Sequence, residues 1–207
     1  MFKTIGTEYG GWPINLDLVP HGSYIIAAGI GEDISFDVGM IAARDCHVVG
    51  VDPTPKSHKY IEAQKNLQNY TLIKKALHSN STDLLRMYKN KRNDHVSESI
   101  LADHSSVNDF DYYYTESIDL DSLFEIYENV SVVKMDIEGS EYEVLTALQH
   151  IPPSVKQFCV EFHHFCSDKT VEDTKDIFNK MFQLGFPNQI QNPSSAQQLA
   201  ETTFWRE

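Results

Sequence analysis

Short apolar runs alternate with amphipathic stretches along most of this chain. Tyr24 to Ala28 and Val48 to Val51 are continuous apolar runs of strand length, and between them Ile34, Val38 and Ile41 recur at helical spacing. The order is strand, glycine turn (Gly29, Gly31), helix, strand, acid (Asp52). Beyond Asp52, Pro53 and Pro55 stiffen the chain, and a helix is predicted from about Ser57 to Leu67. Residues 71–77 read as a third strand and its exit. Ser79 to Asp94, including the basic run at 89–92, reads as a polar, solvated excursion. Val96 to Leu101 alternates like a half-buried strand, and Tyr112 to Thr115 forms another. A helix is predicted over Asp119 to Tyr127. Val132 to Met135 is a buried strand ending on Asp136 and Glu138, with Gly139 giving a turn before a helix from about Glu141 to Leu148. Lys156 to Phe162 is the next strand, followed by His163 and His164. Val171 to Leu184 is helical, with Gly185 as its C-cap. Two short tail strands, Phe186 to Ile190 and Thr202 to Trp205, flank a polar NPSSAQQ segment and can pair as an antiparallel hairpin at one sheet edge. Residues 1–20 read as an irregular lead-in. Its YGGWPI piece, Tyr9 to Ile14, reads either as a cap over the sheet or as a flap over a ligand.

Strands and helices that alternate in this way predict a mainly parallel, doubly wound sheet with helices on both faces. Ligands in such sheets bind beyond the carboxyl ends of the strands. Four of those ends carry polar groups: Gly29/Gly31, Asp52, Asp136/Glu138 and Glu161/His163/His164. Glycines allow close backbone approach, and an acid roughly 20 residues on can accept both ribose hydroxyls, so the first unit reads as a nucleoside site. A dinucleotide fingerprint wants a third glycine where Ile34 stands, and no Lys-Ser or Lys-Thr follows for a phosphate loop. Glu32 and Asp33 make the turn acidic. That repels a pyrophosphate and suits a cationic or zwitterionic ligand such as S-adenosylmethionine.

Composition narrows the setting. At 207 residues the chain fits one domain better than two, residues 1–20 being the lead-in and 21–207 the α/β core. It suits an excised module of a longer protein equally well. A net charge of −13 argues against nucleic acid or anionic membrane as a partner. No apolar run reaches the ~20 residues of a membrane span, and the start lacks a signal-peptide core. Cys46, Cys159 and Cys166 look unpaired, which fits a reducing, cytoplasmic compartment.

The pieces AAGIGEDISFD, VDPTP, KMDIEGSEYEVL and VEFHH, with YGGW near the start, make the sequence resemble the FkbM-type family of S-adenosylmethionine-dependent O-methyltransferases. The resemblance spans roughly residues 9–185. It implies a Rossmann-like class I methyltransferase fold with a seven-stranded sheet and an antiparallel last strand. It also implies a small hydroxylated acceptor, such as a sugar, a glycan terminus or a polyketide-like product, and the sugar hydroxyl is the preferred reading. Many methyltransferases carry an acid before the glycines for the cofactor's amino-acid end. Here Ala27 and Ala28 stand there, so Glu32, Asp33 or the lead-in are expected to share that role.

Methyl transfer from a sulfonium is an in-line displacement whose acceptor hydroxyl needs a base, a Lewis acid, or both. The expected cofactor-binding residues are Gly29, Gly31, Glu32, Asp33, Asp52 and Asp136. Asp136 and Glu161 are expected to orient the acceptor or to hold a divalent cation, magnesium rather than zinc, with His163 as the base. Glu138 and Glu141 read first as capping residues. Two other readings stay open: a nicotinamide-dependent oxidoreductase, and a non-catalytic nucleoside-binding module indifferent to changes at Asp136 and His163.

Overall fold

The structure is a computed structural model that describes residues 1–81, 84–92, 95–192 and 200–207. In chain order its elements are β1 (Phe2–Ile5), β2 (Trp12–Asn15), β3 (Tyr24–Ala28), α1 (Ser35–Arg44), β4 (His47–Val51), α2 (Pro55–Glu62), β5 (Tyr70–Ile73) and β6 (Ala76–Leu77). Then follow β7 (Leu85–Asn90), β8 (Val107–Thr115), β9 (Ser117–Ile118), α3 (Leu120–Ile126) and β10 (Val130–Met135). The chain continues through α4 (Glu141–Ala147), β11 (Gln157–Glu161), α5 (Val171–Gln183), β12 (Asn188–Gln191) and β13 (Glu201–Trp205).

Seven strands form one sheet in the order β12-β13-β11-β10-β3-β4-β5. The pairings β11–β10, β10–β3, β3–β4 and β4–β5 are parallel, whereas β13 is antiparallel to both of its neighbours. The sheet is therefore mixed, and the tail hairpin makes it so. The central strands read as unbroken apolar runs because both their faces are covered. On one face Leu123 of α3, Leu145 of α4 and Met181 of α5 pack on Ile26, Val49, Val133 and Phe158. On the other, Phe36 and Met40 of α1 join Trp12 and Ile14 over Ile25, Val48, Val132 and Cys159. Helix ends follow local chemistry: Thr170 and Asp173 form a capping box on α5, and Gly185, at φ +89°, follows its last turn.

Several expectations change. Residues 1–20 are not an irregular lead-in: β1 and β2 pair as an antiparallel hairpin. Within the expected excursion, Leu85–Asn90 is a strand that pairs antiparallel with a nine-residue β8. Between its buried ends β8 is largely exposed on both faces, so the sequence lacks the alternation of a half-buried sheet. Residues 82–83 and 93–94 of that stretch lie outside the described residues. Residues 96–101 are not a strand, and only Ser99 makes a bridge, to Tyr88. Helix α2 begins earlier than expected because Pro55 occupies its first turn, and it ends at Glu62 instead of Leu67. Residues 193–199, which include all of the NPSSAQQ segment but Asn192, lie outside the described residues. All three cysteines are free. Among the described residues no helix is long and apolar enough to cross a membrane.

Candidate functional site

A cavity of about 830 Å³ opens beyond the carboxyl ends of β3, β4, β10 and β11. The turn of the β1–β2 hairpin roofs one side and residues 96–100 line another. Gly29, Gly31, Glu32, Asp33, Asp52, Asp136 and Glu161 all line it, so the strand ends singled out in the sequence meet at one place. His163 lies behind this surface, 4 % exposed.

The glycine turn is built by close contact within the chain. Gly29 sits at φ +76°, and a Cβ there would lie 1.6 Å from the Asp136 carbonyl oxygen, so no larger residue fits. Asp52 fixes the same turn. It is 3 % exposed, and its carboxylate accepts the N–H groups of Ile30 (2.8 Å) and Gly31 (3.2 Å), the Thr54 N–H (2.7 Å) and hydroxyl (2.6 Å), and the Ser57 hydroxyl (3.0 Å). Asp52 thus ties the first strand's turn to the start of α2, with its lone pairs engaged by the protein.

At the other end, three carboxylates face one imidazole. His163 Nε2 lies 3.8 Å from Asp136 Oδ1, 3.5 Å from Glu138 Oε2 and 3.8 Å from Glu161 Oε1. Its Nδ1 is 3.0 Å from Glu141 Oε1. Glu141 is fully buried and also accepts the N–H groups of Ile137 (2.8 Å) and Gly139 (2.9 Å). Glu141 therefore organises the turn before its helix and aims His163, a contact beyond the helix-end role read from sequence. Glu138, at φ +54°, is held by the Ser99 hydroxyl donating to its carbonyl (2.6 Å).

Electrostatics bind these groups into one set. Burial opposes a charge on His163, but Glu141, Asp136 and Glu138 outweigh it and raise the imidazole well above its ordinary pKa. Burial and then Asp136 push Glu161 up to about 8, and burial raises Glu138. Burial next, and the His163 charge after it, lower His104 to about 4. Ligand atoms of Asp136, Glu161 and His163 lie within 4.8 Å of one another, close enough to hold one metal ion. Two carboxylate oxygens and an imidazole nitrogen make a mixed donor set, less suited to Mg²⁺ than an all-oxygen one. His163 would also have to give up its proton to coordinate.

The hairpin turn closes on this end. The Thr7 hydroxyl donates to Asp33 (2.9 Å), and the Thr7 N–H donates to the Ser35 hydroxyl oxygen (2.9 Å). Tyr9 reaches the mouth, where burial and the charges of Asp136, Glu161 and Glu138 raise its phenol pKa. Sequence reasoning passed over Glu98, whose carboxylate accepts the Tyr113 hydroxyl (2.7 Å) and lines the cavity near Asp52. It also passed over His104 and Lys134. Lys134 left a signal, a single charge inside the buried run VVKM. His104 left none, because it sits in a polar loop and meets Glu138 only through the fold, at 3.4 Å.

The family model described as the methyltransferase FkbM domain matches residues 26–187, most of the chain. No curated protein matches. Eight chains of solved structures match. One is from a fibrillarin/Nop5p complex, with 12 % identity and a TM-score of 0.50 over 90 % of this chain and 73 % of that one. Another is a point mutant of the 16S rRNA (adenine(1408)-N(1))-methyltransferase of Catenulisporales acidiphilia with its cosubstrate SAM, at 13 % identity and a TM-score of 0.41 over 99 % and 95 %. The fibrillarin likeness is one of fold.

Proposed function

The chain belongs to the methyltransferase FkbM domain family, and on that premise we propose that it transfers a methyl group from S-adenosylmethionine to a hydroxyl of a small acceptor, most simply a sugar or glycan terminus. The observation that carries the oxygen acceptor is the convergence of Asp136, Glu138 and Glu161 on His163 at the tips of β10 and β11. A hydroxyl must lose a proton as the methyl group arrives, and this cluster can take it. The base is assigned to Asp136, Glu161 and His163 as a coupled unit, because His163 carries a proton in the resting site. Glu161, raised to about 8, holds a proton at neutral pH and takes the acceptor's proton only once it has released its own.

In this reading Gly29, Gly31 and Asp52 form the nucleoside end, with Asp52 acting by pinning the turn. Glu32, Asp33 and Asp136 face the amino-acid end. A cationic cofactor fits a cavity lined by ten Asp and Glu residues, and a pyrophosphate does not, which weighs against the nicotinamide reading. The strand order, with β13 the reversed strand, supports a Rossmann-like class I methyltransferase arrangement within a single domain, residues 1–20 serving as the covering hairpin. Three free cysteines support a cytoplasmic setting, and the acidic lining supports a small acceptor over nucleic acid. A divalent cation on Asp136 and Glu161 is a second reading carried by the spacing of these two with His163, a donor set that suits Mg²⁺ less than an all-oxygen one. Bound there, it would supply Lewis acidity to the acceptor oxygen.

The test is methyl transfer to a panel of hexose and deoxyhexose glycosides, with and without Mg²⁺, read by mass. Transfer to at least one glycoside is expected, and Asp136→Asn should lower it about a hundredfold or more at saturating cofactor. Transfer that is indifferent to Asp136→Asn would contradict the assignment. Cofactor binding without transfer to any hydroxyl compound would favour the non-catalytic module.

A further inference from the structure

The amino-acid end of S-adenosylmethionine is a zwitterion. Its ammonium finds partners easily in an acidic cavity, but its carboxylate is repelled by the same walls. Among the described residues lining the cavity, Lys134 is the sole lysine or arginine against ten carboxylate side chains. We propose that Lys134 receives the carboxylate of S-adenosylmethionine and so sets the direction in which the cofactor's amino-acid end lies. The inference rests on the S-adenosylmethionine reading above.

The placement follows from register. Lys134 is the fifth residue of β10, and its strand partner on β3 is Ala27, which in turn pairs with Gly50 on β4. Two small residues beside the lysine leave room for its stem on the face covered by α1. There the ammonium reaches the glycine turn, donating to the Gly29 carbonyl at 2.6 Å and lying 3.6 Å from Asp136 Oδ2. Its side chain is 12 % exposed, held at the cavity wall. An ammonium has three donors, and Gly29 takes one of them. The remaining N–H groups sit beside the turn where a nucleoside-linked amino acid would lie. An acid before the glycines, the commoner device, would occupy the Ala27 or Ala28 position. Here an alanine stands there and the adjacent strand supplies a cation. The ammonium of the cofactor is then left to Asp33, Asp136 or Glu32.

The test compares two ligands that differ only in the carboxylate: S-adenosylhomocysteine and its decarboxylated form, S-adenosyl-3-thiopropylamine. The wild-type chain should prefer S-adenosylhomocysteine about tenfold or more, the size of a hydrogen bond to a charged group. In Lys134→Met that ratio should fall to about one or below, while Lys134→Arg should keep a preference. 5′-Methylthioadenosine, which lacks the whole amino-acid end, should bind wild type and Lys134→Met alike and so reports an intact pocket. Equal affinity of wild type for the two ligands would overturn the proposal without any variant. A tenfold preference that survives Lys134→Met would overturn it too. Failure of wild type to bind S-adenosylhomocysteine at all would instead remove the cofactor reading, and this inference with it.

Discussion

Burial next to another carboxylate lets an acid keep its proton to a higher pH than it would in water. Glu161 is so placed: burial and Asp136 raise it from 4.5 to about 8. Between those values the folded chain holds a proton that the unfolded chain has released. The Glu161 contribution to stability is therefore complete below about 4.5 and lost as the pH rises through about 8. Glu161→Gln removes this titration. Relative to wild type, the variant should gain stability steadily from pH 5 to pH 8, by at most about 1.4 kcal/mol per unit crossed. Thermal melts of both proteins across that range measure it. Parallel curves would show that Glu161 does not titrate as placed. Residue types at the tips of β10 and β11 were legible in the sequence because strand ends and turn glycines mark them. Their electrostatic state was not. It depends on Glu141, a helix residue by every local rule, reaching back to His163 at 3.0 Å. Asp52 shows the same limit. Its position is local, but the five donors that engage it come from the glycine turn and from Thr54 and Ser57 at the start of α2, which only the fold brings together.

The β1–β2 hairpin is attached to the core by few polar bonds at its turn. The Thr7 hydroxyl donates to Asp33, and its N–H donates to Ser35. On the strand side, Ile5 packs against Gly39 of α1, where a Cβ would come within 2.6 Å of it. Thr7→Val keeps the shape and removes the hydroxyl, so the turn should open more often while the sheet core is untouched. The hydroxyl also accepts the Gly10 N–H and the Ser35 hydroxyl, so amide exchange at residues 6–11 should accelerate about tenfold or more, with little change in Tm. Unchanged exchange there would mean that the turn is held by packing alone. The contrast between elements is instructive. The strands β3, β4 and β10 and the helix α5 stand close to their expected bounds, because burial on both faces or on one stripe imposes a visible period. In α1 the stripe read at Ile34, Val38 and Ile41 is not the buried one: Val38 is 45 % exposed, and Phe36 and Met40 face the core. The hairpins β1–β2 and β7–β8 were illegible because each is built by strand pairing. The residues of β8 (VNDFDYYYT) bury only their ends, so no apolar alternation announces them.

At the scale of the molecule, the seven-stranded sheet brings chemically distinct strand ends to one edge, and two hairpins enclose the space above them. The result is a cavity of about 830 Å³ whose described lining holds ten Asp and Glu side chains and one lysine, Lys134. Such a field attracts a ligand with net positive charge and excludes a dinucleotide phosphate. The family match over residues 26–187 makes the chain a member of the methyltransferase FkbM domain family. The measurement that tests this most directly is calorimetric titration of the chain with S-adenosylhomocysteine and, separately, with NAD. The account predicts binding of S-adenosylhomocysteine with a Kd on the order of micromolar, about −8 kcal/mol, and no detectable heat with NAD. NAD binding in place of S-adenosylhomocysteine would contradict it and point to the oxidoreductase.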